Sequence, residues 1–360
     1  MLQSPENIAL QEPVYKTATK PKLGKTGVLI VNLGTPDSPS VADVRKYLRE
    51  FLMDGRVIDI PYLFRFLLVQ GIIAPFRAPK SAKTYREVWT PAGSPLKVYG
   101  LSNEIELQKL LGDDFVVKLG MRYQSPSIKT ALDAFQKMGL SRIVVIPFFP
   151  QYASATTGSV YEEVMRLLTK WQVVPEVKFI STFFDHPKVL AGYVENGLKM
   201  MATHDYEHFV FSFHGVPERH IRKGDCNGDV CKMGSCCDSL GAFNQLCYRA
   251  QCFETTRLLV KQLNIPEGKY TTCFQSRLGT DPWIKPYTED LVKELPKRGI
   301  KNVLAFSPAF VADCLETTVE VGEEYKELFE ENGGEHWHLV PSLNDSPRWV
   351  EALAEMAVAN

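Results

Sequence analysis

The chain has 360 residues, 45% of them hydrophobic, which is enough to fill two ordinary domains or one large one. Its 41 basic and 42 acidic residues give a formal charge of -1, so there is no basic footprint for nucleic acid and any charge-driven function must be local. Eight cysteines invite a disulfide reading, but five crowd between Cys226 and Cys247 and nothing marks the chain for export. In a reducing compartment such crowding points to metal or redox chemistry.

In chain order, residues 1–26 are polar, carry three prolines and lack the apolar core of a secretory signal; they read as a loose arm on a cytoplasmic protein. Short β-rich apolar runs follow: "GVLIVNL" from 27, "FVVKLG" from 115, "RIVVIPFF" from 142 and "VKFISTFF" from 177. A second series comprises "HFVFSF" from 208, "KYTTCF" from 269, "NVLAF" from 302 and "HWHLV" from 336. Continuous apolar runs alternating with amphipathic helices predict an α/β protein of two similar halves, each a four-stranded parallel sheet flanked by helices. The last three strands of each series recur at about 27 to 35 residues, a normal βαβ length. The border is expected within 185–205, taken as 27–195 and 196–360, with "SPRWVEALAEMAVAN" as a closing helix.

Two gaps interrupt this regularity. The first, 34–114, holds "PYLFRFLLVQGIIAPF", Pro61 to Phe76, which includes Arg65 and falls short of the roughly 20 apolar residues that span a bilayer. It can lie on a membrane but not cross one. The second holds the cysteine-rich insertion, 225–247.

Open parallel sheets bind ligands outside the carboxyl ends of their strands. Those ends here read "NLGTP", "MRY", "PQYASATTGS", "HGVP", "FQSR" and "SPAFVADCLET". Neither "NLGTPDS" nor "TTGS" has the glycines or lysine of a dinucleotide fingerprint or P-loop. His214 precedes a glycine at a strand end, where a neutral imidazole of pKa near ~6.5 can accept a proton. Glu316, Glu320, and Glu323 or Glu324 fall on one face of a predicted helix, and stacked like charges cost stability unless a cation or proton is handled there. Arg122 and Tyr123 could anchor a flat anionic ligand by charge and stacking, and so could Trp283. His204 with His208, and His336 with His338, have ligand-like spacings but read as structural or surface residues.

The motifs "VNLGTPDSP", "GSPL", "MRY", "PQYASATTGS", "SFHGVPERH", "YRAQC", "FQSRLGTDPW" and "FVADCLETTVEV", in this order, resemble those of the ferrochelatases, lyases that insert ferrous iron into protoporphyrin to make protohaem. The resemblance runs from about residue 27 to 350 and implies two Rossmann-like, flavodoxin-like halves of chelatase type with the porphyrin cleft between them. It implies that His214 takes a pyrrole proton, that Glu316 is its acidic partner, and that Glu320 and Glu324 lead protons or metal away. By the same resemblance Leu33 faces the macrocycle, Arg122, Tyr123, Ser276, Trp283 and Phe310 line the pocket, and 61–80 forms an apolar lip able to touch the inner face of the membrane. The implied partners are protoporphyrin IX and Fe2+ as substrates, with no nucleic acid, in a monomer or homodimer.

There are departures from the family. Cys314 stands where some relatives have a second histidine, two residues before the glutamate. The eukaryotic form holds an iron-sulfur cluster through C-terminal cysteines and one in the "QYxxxTTGS" loop, but this chain ends without cysteines and has Ser154 in that loop. The insertion instead resembles that of a bacterial subgroup with an internal cluster. Four thiolates suit a two-iron two-sulfur cluster or zinc. The expected ligands are Cys231, Cys236, Cys237 and Cys247, with Cys226 as substitute, although adjacent ligands such as Cys236 and Cys237 are geometrically awkward. Alternatives are a chelatase for coproporphyrin or for cobalt, or a haem-binding or redox-sensing protein on a chelatase scaffold. The presence of both His214 and Glu316 counts against the last.

Overall fold

The computed structural model describes residues 24–359 other than 227 and 280. The expected N-terminal arm therefore lies, up to residue 23, outside the described residues.

The first half runs β1 (Thr26–Gly34), α1 (Val41–Leu52), α2 (Tyr62–Phe66), α3 (Ala74–Val88), α4 (Pro95–Leu111), β2 (Phe115–Tyr123), α5 (Ile128–Met138), β3 (Arg142–Pro147), α6 (Ser159–Leu168), β4 (Glu176–Phe179) and α7 (Pro187–Met201). The second runs β5 (His208–His214), α8 (Glu218–Lys223), α9 (Tyr248–Gln262), β6 (Tyr270–Gln275), α10 (Thr288–Glu294), β7 (Asn302–Phe306), α11 (Tyr325–Glu331), β8 (His336–Leu339) and α12 (Pro347–Val358). All eight predicted strands form. Both sheets are parallel and four-stranded, ordered β2-β1-β3-β4 and β6-β5-β7-β8, so the halves share one topology. The inner strands β1, β3, β5 and β7 are almost wholly buried because each is flanked by two strands and covered on both faces.

Local chemistry sets several boundaries. Ser40 and Ser127 cap α1 and α5 by accepting the N–H of Asp43 and Thr130, and proline opens α4, α7 and α12. Gly34 ends β1 at a φ of +119°, and a Cβ there would sit 2.0 Å from the Tyr123 carbonyl oxygen, so only glycine lets the ends of β1 and β2 meet. The run from 177 pairs only as far as Phe179; beyond it Phe183 and Phe184 leave the sheet for the core.

The predicted helix at Glu316 is wider than an α-helix. Residues Glu316–Glu324 form a π-helical stretch leading into α11, and similar stretches occur at Leu67–Ile73 and Ser154–Gly158. Such turns concentrate at functional sites.

The two halves exchange their last helices. Helix α7 packs on the second half, where Gly197 lies against Phe306; a Cβ at Gly197 would come within 2.8 Å of that ring. Helix α12 returns to the first half. Trp349 is fully buried with ring centroids 5.2 Å from Phe148 and 5.5 Å from Phe183, and Lys178 and Arg142 donate to the Ala359 carbonyl. The expected border at 195/196 thus falls inside α7, and one core runs through both halves. Apart from these shared parts, α2, the π-helical stretch after it and α3 form a lip with Tyr62, Leu63, Phe64, Leu67, Ile72 and Phe76 all exposed. No helix among the described residues is long and apolar enough to cross a membrane.

Candidate active site between the two halves

The carboxyl ends of β5, β6 and β7 assemble one wall. His214 closes β5, and its ring stands 6.4 Å, centroid to centroid, from both Trp283 and Phe310. Its Nδ1 lies 2.6 Å from the Gly215 carbonyl oxygen. A carbonyl only accepts, so Nδ1 carries the proton of the neutral ring and Nε2 keeps its lone pair.

In register beside His214 on β6 is Gln275, 1% exposed. Its Oε1 accepts from Ser212, and its Nε2 donates to the Glu316 carbonyl at 3.0 Å and to Glu320 Oε2 at 3.1 Å. One amide therefore ties the histidine strand to the acidic row. Sequence reasoning passed over Gln275, although it lies within the quoted strand end "FQSR".

The acidic row has unequal members. The Glu320 carboxylate is held by the Ser276 N–H (2.8 Å), the Ser276 hydroxyl (2.5 Å), Gln275 and Tyr325 (3.0 Å). Ser276, expected to line the pocket, thus serves Glu320. Glu324 is pushed up, by burial first and then by the charge of Glu320, against the pull of Lys80. Glu320 and Glu324 line an open groove of about 320 Å³ together with Glu289, Asp290, Glu327 and Glu331.

The opposite wall comes from the first half. Leu33 packs with α1 and α3, where Tyr47 and Tyr85 meet edge to face at 6.3 Å. Burial first, then the Tyr85 phenol and the Glu316 carboxylate, push the Tyr47 phenol up; burial and Glu316 do the same to Tyr85 and Cys314. The Glu316 charge is thus felt by two tyrosines and by Cys314, and α3 rests on the π-helical stretch. Neither tyrosine was singled out from sequence, since each reads as an ordinary core aromatic.

Arg122 and Tyr123 are brought together but turned inward. Arg122 Nη2 pairs with Asp54 at 2.7 Å, the Tyr123 hydroxyl donates to Asp54 at 2.9 Å, and Ser159 donates to it at 2.5 Å. Burial raises the Asp54 carboxyl, but hydrogen bonds from Ser159 and the Arg56 N–H, with Arg122 and Tyr123, outweigh it and hold the group below the usual carboxylate range. Tyr123 is fully buried and offers no face to a ligand. In place of the expected anchor, the pair locks the ends of β2 and α1 together. Ser154, where the eukaryotic form has a cysteine, accepts from Arg56.

Behind His214 the insertion gathers its thiols. Cys236 and Cys237 sulfurs lie 3.8 Å apart across a short 3₁₀ turn, so adjacency does not keep them from converging. Cys231 adjoins Cys236, and Cys237 adjoins Cys247. The interaction with Cys247 and burial push the Cys237 thiol up, whereas Cys237 and the N–H groups opening α9 lower Cys247 despite its burial. Cys226 is exposed, its sulfur 3.8 Å from the Gly224 carbonyl oxygen. Among the described residues no group of three or more His, Cys, Asp or Glu side chains is arranged to hold a metal ion. In donor type the free thiols suit a four-thiolate centre, although the described side chains are not gathered into one.

Paired four-stranded parallel sheets of one topology, with a histidine and a row of carboxylates beyond the carboxyl ends of the second sheet's strands, give a chelatase-type fold. A multi-domain protein from Deinococcus radiodurans, described as structurally similar to chelatases with two additional novel domains, has a similar fold: TM-score 0.50, 10% identity, 93% of this chain and 55% of that one. The Ferrochelatase family model matches residues 25–360. The ferrochelatase of Coxiella burnetii is 45% identical over 333 residues, 92% of this chain and 93% of its own, and that of Legionella pneumophila (strain Corby) is 45% identical over 331 residues, 91% and 97%. The chain belongs to the ferrochelatase family.

Proposed function

We propose that the ferrochelatase reaction of this chain, insertion of Fe2+ into protoporphyrin IX with release of two protons, runs in the cleft between the halves, with His214 as proton acceptor and Glu316 as its acidic partner. The observation that carries this reading is the setting of His214, whose Nε2 is left as an acceptor between Trp283 and Phe310 while Gln275 links its strand to the glutamates. Metallation strips two protons from the macrocycle and makes hydrated iron shed water, so it calls for a base, acidic ligands and an apolar pocket. Trp283, Phe310 and Leu33 supply apolar walls that exclude water from the macrocycle.

Within the row the work divides. Glu320 is clamped in place by its donors, whereas Glu324 takes a proton more readily than an ordinary carboxylate and passes it to the groove. Anaerobic mixing of the protein, ferrous iron and protoporphyrin tests the reading. Formation of metalloporphyrin no faster than the uncatalysed rate would sink it.

We also propose a two-iron two-sulfur cluster on Cys231, Cys236, Cys237 and Cys247, with Cys226 as substitute, a reading supported by the crowding of thiols in one insertion and by the 3.8 Å approach of the Cys236 and Cys237 sulfurs. Bound there, a cluster would cross-link both ends of the insertion. Visible absorption with iron and sulfide analysis decides it; a colourless, iron-free preparation made without oxygen counts against the cluster. The exposed lip, from Tyr62 to Phe76, supports peripheral contact of a cytoplasmic protein with the inner face of the membrane, to be tested by co-sedimentation with lipid vesicles.

A further inference from the structure

The backbone that carries the His214 ring is held at three points. The Gly215 N–H donates to the Gln275 carbonyl at 2.8 Å, the Gly215 carbonyl accepts from His214 Nδ1, and the His214 carbonyl accepts from the Tyr248 hydroxyl at 2.7 Å. Residue 215 must be glycine, because a Cβ would sit 2.7 Å from the Gln275 carbonyl oxygen and 3.0 Å from the Trp283 ring. Glycine has the widest backbone freedom of any residue. The peptide that orients the imidazole is therefore restrained by its hydrogen bonds and not by its own conformational preference.

Tyr248, 7% exposed, opens α9 and directly follows Cys247, the N-cap of that helix. The same first turn reaches other parts of the cleft. Arg249 donates to the Lys285 carbonyl in the segment after Trp283, and Gln251 accepts the Tyr152 N–H from the first half. At its other end the insertion leaves α8, where Arg219 and Lys223 bind Asp59 at the base of the lip. The cysteines thus sit between two attachments, α8 to the base of the lip and α9 to the catalytic wall, and Tyr248 is the residue that meets His214.

We propose that Tyr248 is a positioning residue for His214, fixing the peptide whose following carbonyl orients the imidazole, and that the cysteine insertion acts on metal insertion through this bond. The proposal rests on the reading of His214 as proton acceptor. Nothing is oxidised or reduced; the cysteines determine only where α9 begins.

The test is Tyr248→Phe in the full chain as isolated, which removes the hydroxyl and keeps the ring. The expected result is a fall in kcat of about 10- to 100-fold, with porphyrin Kd within about twofold of the parent and the same visible absorption per chain. Unchanged kcat overturns the proposal. So does a loss of kcat matched by an equal loss of porphyrin affinity, which would assign the hydroxyl to pocket structure alone. Cys247→Ser, with Cys237→Ser in parallel, is expected to lower kcat similarly, and the Tyr248→Phe/Cys247→Ser pair no further than Tyr248→Phe. Multiplying losses in the pair overturn the link to the insertion. Turnover of His214→Ala and the spectrum of the parent protein are separate measurements, so failure of the base assignment or of the cluster is distinguishable from failure of Tyr248.

Discussion

At the scale of single residues, the chain uses its histidines in opposite ways. His214 keeps Nε2 as an acceptor beside two aromatic rings, and His214→Ala is expected to abolish turnover nearly completely while porphyrin still binds. Turnover close to the parent's would remove it as the base. His208, 4% exposed and bonded to Thr271, is lowered to about 4 by burial, with Arg298 and Lys269 adding to the effect. Between that value and the ~6.5 of an unfolded histidine, the unfolded chain binds a proton that the native state does not. Stability from this group is complete above ~6.5 and is lost as pH falls toward the native value. His208→Gln should flatten part of that acid slope in the urea midpoint; an unaltered slope would show that other groups set it.

At the scale of elements, the functional parts are held by contacts between segments far apart in sequence. Asp59, in the turn before the lip, receives Arg219 at 2.8 Å and Lys223 at 2.6 Å from α8, while Arg219 also binds Asp281. Burial alone would raise Asp59, but Lys223, Arg219 and His220 hold it well below the ordinary carboxylate range. The latch therefore persists above the unfolded carboxylate pKa and opens only as pH drops through the lowered native one. Asp59→Asn is expected to cost about 1–2 kcal/mol and to speed proteolysis of the lip. A midpoint and cleavage rate like the parent's would mean that the latch contributes nothing.

At the scale of the whole molecule, the exchange of α7 and α12 makes the halves one cooperative body. Trp349, near the C-terminus, is buried against Phe148 and Phe183 of the first half. Trp349→Ala should cost about 3–5 kcal/mol, and probes in both halves should unfold together at the lowered midpoint. Two separated transitions would refute the shared core.

The strands were legible in the sequence because a parallel strand buried on both faces needs an unbroken apolar run, as "VLIVNL" and "FVFSF" show. Motif order was enough to identify the family and to single out His214 and Glu316. The choice of cysteines from sequence rested on crowding along the chain, which does bring the Cys236 and Cys237 sulfurs within 3.8 Å. Only the tertiary structure decided what depends on partners distant in sequence. Gln275 became the bridge between histidine and glutamates by strand register. Arg122 and Tyr123 turned inward because Asp54 and Ser159, from other segments, complete their hydrogen bonds. The π-helical stretch at Glu316 was hidden because its residue types suit an α-helix equally well. The stretch from His214 to Tyr248 holds both kinds of information. The motifs placed His214 and the cysteines side by side, and the fold brought the tyrosine at the end of the insertion back to the histidine at its start. A hydrogen bond across 34 residues is set by where the helix and the strand pack, which the local sequence does not encode.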